Sequence, residues 1–181
     1  MKPPVHQEWS AVVNGETRHL YTAPGTRLVD LLRDQLQLTG TKVSCEVGRC
    51  GACMVLLNGE PVNACLAMAY QCEGSEITTI EGVRGESEGE LHPIQRAFVE
   101  EGGFQCGYCT PGMIISTKAL LDEYASPSQE QIETGLCGNL CRCTGYGGII
   151  RAVKRASEHY SSGKTESPVV KAASGTDASE V

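Results

Sequence analysis

Residues 45–53 read Cys45-Glu-Val-Gly-Arg-Cys50-Gly-Ala-Cys53, three cysteines separated by four and then two other residues. With Gly48 and Gly51 between the thiols, the segment reads as a tightly wound loop. On its N-terminal side, Leu28, Leu31, Leu32 and Leu36 recur at helical spacing after Pro24-Gly25, which predicts a short amphipathic helix. Further upstream, Trp9 to Val13 and Arg18 to Tyr21 flank Asn14-Gly15, a hairpin turn signal. Downstream come Met54 to Leu57, a second turn at Asn58-Gly59, a strand near Val62 to Ala64, and Ile77 to Ile80. Strands on both sides of one helix predict an α+β unit of the β-grasp or ferredoxin-like kind over residues 9–82, preceded by an extension at 1–8.

After an acidic, glycine-rich loop at Gly82 to Gly89 the punctuation becomes helical. His92-Pro93 opens one helix and Gly102 follows its end. Thr110-Pro111 opens a second, with Ile114, Thr117, Leu120, Leu121 and Tyr124 on one stripe. Ser126-Pro127-Ser128-Gln129 has capping-box form and opens a third. A fourth spans about Gly145 to His159 with Ile149, Ile150, Val153 and Ala156 inward, so residues 83–160 read as a four-helix domain. Residues 161–181 are small and polar and are expected to form a disordered tail.

The chain has 181 residues, 40% hydrophobic and 20% charged, enough for one sizeable or two small cores. A formal charge of −7 without any run of Lys and Arg argues against nucleic acid and against an anionic membrane surface. No stretch approaches the apolar length of a membrane span, and the start MKPPVHQEWS lacks the regions of a signal peptide, so the expected location is cytoplasmic. In that reducing setting ten cysteines point to metal binding or redox chemistry rather than to disulfides.

Cys45, Cys50 and Cys53 have the plant-type iron–sulfur spacing C-x4-C-x2-C, and Cys65, beyond eleven intervening residues and across the predicted hairpin, is positioned as a fourth ligand. A four-cysteine zinc site is the competing reading, although zinc favours paired C-x2-4-C knuckles. In the helical half, Cys106-Gly-Tyr-Cys109 and Cys141-Arg-Cys143 each precede a predicted helix, whose N-terminal dipole favours thiolate. Zinc competes more strongly there, and C-G-Y-C before a helix also has the form of a dithiol-exchange site, which leaves Cys141 and Cys143 without a role. Cys72 and Cys137 read as ordinary free thiols. His6, His19, His92 and His159 do not cluster, and no nucleophile, base and oxyanion constellation is visible, so catalysis is expected from a partner. Gly51, Ala52 and Met54, with Tyr108, Pro111, Gly112 and Met113, read as exposed residues available to an interface.

CEVGRCGAC with Cys65, then QCGYCTPGM and GNLCRCTGYGGI, resemble the small iron–sulfur subunit of the molybdenum hydroxylases, the xanthine dehydrogenase and aldehyde oxidase family, over about Trp9 to Tyr160. That resemblance implies a plant-ferredoxin-like domain with one [2Fe-2S] cluster and a four-helix domain with another. It implies a large subunit that binds a molybdopterin cofactor and a medium subunit that binds FAD, in a heterotrimer or its dimer, with this chain as the electron wire. Carried over residue by residue, Cys106, Cys109, Cys141 and Cys143 would hold the cluster nearer molybdenum, Gln105 would hydrogen-bond the pterin, and Cys45, Cys50, Cys53 and Cys65 would hold the cluster nearer flavin. Purines such as xanthine or hypoxanthine are the expected substrates. Nicotinate, other N-heterocycles, aldehydes and aromatic acyl thioesters are the alternatives, and a free-standing ferredoxin-like carrier or a zinc-stabilised module stand outside the family.

Overall fold

Asn14-Gly15 and Asn58-Gly59 all lie at positive φ, between 53° and 87°, the backbone that a two-residue hairpin turn requires and that asparagine and glycine adopt with least strain. The first turn joins β1 (Gln7–Val13) to β2 (Glu16–Thr22), the second β3 (Met54–Leu57) to β4 (Glu60–Asn63). Residues 5–87 and 89–160 are described by the computed structural model; the expected tail at 161–181 lies outside them. Strand β5 (Glu76–Thr78) runs parallel to β1 and antiparallel to β3, which closes a five-stranded mixed sheet in the order β2-β1-β5-β3-β4. The β-grasp expectation holds.

The leucine stripe makes a helix of a different kind from the one expected. After a short α1 (Leu28–Asp30) the chain continues as a π-helical stretch, Leu31–Gln35, with the Leu36 amide bonded to the Leu31 carbonyl at 3.1 Å. Leu28, Leu31 and Leu32 are fully buried against Trp9, Ala11, Val13, Val55 and Ile77. Leu36 is only half-buried because the wider winding rotates it off the stripe. Trp9 anchors this core and donates its indole N–H to the Ala69 carbonyl at 2.9 Å, which satisfies the polar tip of a residue that is 2% exposed.

The helical half comprises α2 (Pro93–Glu100), α3 (Thr110–Glu123), α4 (Gln129–Leu136) and α5 (Gly147–Ser157). His92 caps α2 by accepting the Ile94 amide at its Nδ1, 3.3 Å away, while Gln95 Oε1 accepts the His92 amide. The cap of α4 sits two residues later than the sequence pattern suggested: Ser128 and Gln131 form the box in place of Ser126 and Gln129. Helix α3 is not single-sided either. Gly112 to Thr117 are all buried because α3 lies against β3 and between α2 and α4.

Strand β3 serves both cores. Val55 faces the ferredoxin-like core, whereas Met54 and Leu56 point the other way into the core of Ile94, Phe98, Met113, Ile115, Leu121, Ile132 and Ile149, as period-two alternation dictates. The two units are thereby joined through one strand. Gly51, Ala52, Met54, Gly112 and Met113, expected at the surface, are buried in this seam.

Candidate metal centres

The cysteine loop between Ser44 and Cys53 has no regular secondary structure and takes left-handed backbone at Glu46, Gly48 and Gly51, with φ of 57°, 72° and 67°. Gly48 is also required by space, since a Cβ there would stand 2.3 Å from Leu66 Cδ1. Winding of this kind turns main-chain N–H groups inward. The Val47 and Arg49 amides lie 3.5 and 3.3 Å from Cys45 Sγ, and these contacts, Val47 first, hold the Cys45 thiol down to about 6. Arg27 steadies the loop from outside, bidentate to Asp30 at 2.7 and 3.0 Å and reaching Glu46 at 2.5 Å. Asn63 donates to the Gly48 carbonyl at 3.2 Å. None of these supporting residues carries a spacing signal that sequence reading would find.

The thiols of this loop and Cys65 come together as two pairs. Cys50 acts on the Cys45 thiol, and Cys65, with Cys50 beyond it, acts on the Cys53 thiol. The outer pair is half-buried, the inner pair 3% and 4% exposed. Burial pushes the Cys53 thiol up to about 12, and the neighbouring Cys65 adds to it.

The second set has the same two-by-two form. Cys106 and Cys143 lie 3.6 Å apart at the surface, and Cys109 and Cys141 act on each other further in. Cys109 is the N-cap residue of α3, so the set abuts that helix's N-terminus. Burial, and then the neighbouring Cys141, pushes the Cys109 thiol up to about 12. For Cys141 burial acts upward but is outweighed by Thr144, whose Oγ1 lies 3.1 Å from the sulfur, and the net direction is down. Tyr146, left-handed at φ 66° just before α5, accepts the Cys141 amide at 2.8 Å and donates to the Asn139 carbonyl at 2.9 Å. Gln105 is exposed beside Cys106. Cys72 is fully buried in the ferredoxin-like core and Cys137 is exposed at the end of α4; neither joins a set.

The donor chemistry tests which metal would fit. A mononuclear zinc site gathers four ligands on one point. Among the described residues no three Cys, His, Asp or Glu side chains gather in that way. Two pairs of thiols suit a rhomb of two irons and two sulfides, in which four cysteines are shared two to each iron. Low and high thiol affinities for the proton sit side by side within each set, and bound iron would hold all four as thiolates.

Comparison with known proteins agrees with this geometry. Residues 11–80 match a family described as 2Fe-2S iron-sulfur cluster binding domain, and residues 79–154 match one described as [2Fe-2S] binding domain. The chain is 55% identical over 165 residues to a probable xanthine dehydrogenase subunit of Bacillus subtilis, an alignment covering 91% of this chain and 94% of the relative. It belongs to the iron–sulfur small subunits of the molybdenum hydroxylase family. The nicotinate dehydrogenase small FeS subunit of Eubacterium barkeri is 49% identical, over 81% of this small subunit and 92% of that one. Among solved structures, quinoline 2-oxidoreductase from Pseudomonas putida superposes with a TM-score of 0.80 at 41% identity, covering 85% of this chain and 95% of that one. Aldehyde oxidoreductase of Desulfovibrio desulfuricans also aligns at 0.80, but this small subunit spans only 17% of its length. The small subunit therefore carries two [2Fe-2S]-binding domains and is the electron-transfer part of an oxidoreductase. No helix among the described residues is long and apolar enough to cross a membrane.

Proposed function

We propose that this small subunit relays electrons from a molybdopterin-bearing large subunit to an FAD-bearing medium subunit, in a cytoplasmic heterotrimer or dimer of heterotrimers that oxidises purines such as xanthine or hypoxanthine. The observation that carries the reading is the gathering of eight thiols into two sets of four within one chain, one set in each matched [2Fe-2S] domain. In this reading Cys45, Cys50, Cys53 and Cys65 hold one [2Fe-2S] cluster, and Cys106, Cys109, Cys141 and Cys143 hold the other. When bound, the clusters supply one-electron carriers. The residues around them do the rest. The Val47 and Arg49 amides favour the thiolate of Cys45, the Thr144 hydroxyl acts in the same direction on Cys141, and the buried Cys53 and Cys65 keep water from the inner half of the first set.

The surface supports partners on both sides. Cys106, Cys143 and Gln105 are exposed, with Phe104, Tyr108 and Leu140 at 40%, 48% and 58% exposure around them. That face suits the large subunit, with Gln105 hydrogen-bonding the pterin. Val47 and Leu66, 62% and 56% exposed, flank the first set and suit the medium subunit. The purine assignment rests on the 55% identical relative, and the 49% identical nicotinate dehydrogenase subunit favours nicotinate as the second reading.

Anaerobic affinity purification from the native host tests all of this. About four iron and four sulfide per chain are expected, with two larger chains copurifying and the visible absorption bleaching on addition of xanthine. Colourless, iron-free protein after reconstitution would end the relay reading. Bleaching by nicotinate and not by xanthine would move the substrate, and an iron-loaded chain that purifies alone would make it a free carrier.

A further inference from the structure

The two cysteine sets meet across the seam between the units. The Leu140 amide donates to the Cys50 carbonyl at 2.9 Å, so one main-chain hydrogen bond joins a thiol-bearing residue of the first set to the residue before Cys141 of the second. Beside it, Gly112 of α3 packs on the Gly51 carbonyl so closely that a Cβ there would come within 2.1 Å of the oxygen. Tyr108, next to Cys109, donates its hydroxyl to the Val43 carbonyl at 2.5 Å. At the centre of these contacts is Asn139, only 2% exposed.

Asn139 has all of its polar groups engaged. Its Nδ2 donates to the Gly51 carbonyl at 3.4 Å and its Oδ1 accepts from Ser116 Oγ at 2.8 Å. Its own amide donates to the Leu136 carbonyl and its carbonyl accepts from Tyr146, which also holds the Cys141 amide. A buried amide costs desolvation that an apolar residue of the same volume avoids, and it is retained where its hydrogen bonds specify one arrangement. Here the side chain ties α3 to the first cysteine loop, while the main chain, through Tyr146, ties the second.

We propose that Asn139 is a positioning residue that fixes the two cysteine loops against each other, so that the Cys50–Leu140 hydrogen bond stays closed and the two sites stay electronically coupled. The inference rests on the relay reading above. An electron passing between the sites makes and breaks no bond and needs no proton, so the chain's contribution is to fix separation and contact. A rigid seam of this kind does so without ordering cost at each transfer.

The test uses the full chain, reconstituted with iron and sulfide and fully reduced with dithionite. Electron paramagnetic resonance of the wild type is expected to show two signals with a splitting from their mutual interaction. Asn139→Asp keeps an acceptor for Ser116 and loses the donor to Gly51; Asn139→Leu loses both. Both are expected to retain iron content and both signals, with the splitting diminished or lost. A variant that melts earlier yet keeps the wild-type splitting overturns the proposal, because stability alone then accounts for Asn139. An iron-loaded wild type without splitting overturns it as well, whereas an iron-free wild type overturns the relay reading instead. Should Asn139→Leu fail to load, Ser116→Ala decides: it removes one support of the amide and is expected to diminish the splitting, and an unchanged splitting overturns the proposal.

Discussion

At the level of single residues, Gly112 separates intrinsic preference from context. It lies in the first turn of α3, where alanine would favour the helix by about 1 kcal/mol. The Cβ would nevertheless meet the Gly51 carbonyl oxygen at 2.1 Å, a backbone atom that rotamer change cannot move. Overpacking of this kind costs about 1–3 kcal/mol, so Gly112→Ala is expected to lower the melting temperature of the reconstituted chain, as followed by circular dichroism; an unchanged or higher value would mean the seam is softer than its contacts indicate. Thiols and seam differ in legibility for a physical reason. Ligand spacing within a loop is local, and the C-x4-C-x2-C run, Cys65 across the hairpin, and the C-x2-C and C-x-C pairs displayed the cysteines that the fold gathers. The Asn139–Gly51 bond spans 88 residues of sequence, and a lone asparagine in Gly-Asn-Leu-Cys carries no periodicity to mark it.

Elements were legible where one local signal was sufficient. Asn-Gly turns named both hairpins, and His92-Pro93 named the start of α2. They were less legible where tertiary packing chose among local options, as at α1, which widens into a π-helical stretch, and at α4, where Ser126 and Ser128 offered competing caps. The α2 cap carries a pH dependence. His92 accepts the Ile94 amide at Nδ1, stacks obliquely on Tyr160 at 5.4 Å, and is near Lys118 and Asp122. Burial holds its pKa below the ordinary histidine value, with the Lys118 charge acting the same way and Asp122 opposing. The unfolded chain therefore takes up this proton first as pH falls. The contribution to stability is whole above about pH 6.5 and is lost as pH falls from there through the folded value. His92→Asn keeps a capping acceptor without a titrating group, so the loss of melting temperature between pH 7 and pH 5 is expected to be smaller than in the wild type. An identical slope in both proteins would show that His92 takes up its proton equally in the folded and unfolded chains across that range.

For the whole molecule, the shielded thiols are those that the ferredoxin-like core encloses. Cys53 and Cys65 lie inside the ferredoxin-like core on the Val55 face of β3, whereas in the helical unit Cys109 and Cys141 only border the core and the other two thiols open outward. Cys53 and Cys65 are 3% and 4% exposed, whereas Cys106 and Cys143 are both exposed. Sequence spacing assigned the two sets equal standing because it carries no information on which thiols a core will enclose. Iron held at surface thiols is more accessible to chelators and oxidants than iron held at buried ones. The isolated small subunit, challenged with a chelator under mild oxidation, is therefore expected to lose its visible absorption in two phases, the faster one from the helical domain. Cys143→Ser identifies that phase, since it should remove it while the slower phase and its paramagnetic signal persist, and Cys137→Ser should alter neither. Copurified with its larger partners, the small subunit should lose the fast phase if the large subunit docks, as proposed, over Cys106 and Cys143. A single uniform phase, or earlier loss of the ferredoxin-like signal, would show that exposure of the bare thiols does not govern access to the assembled sites.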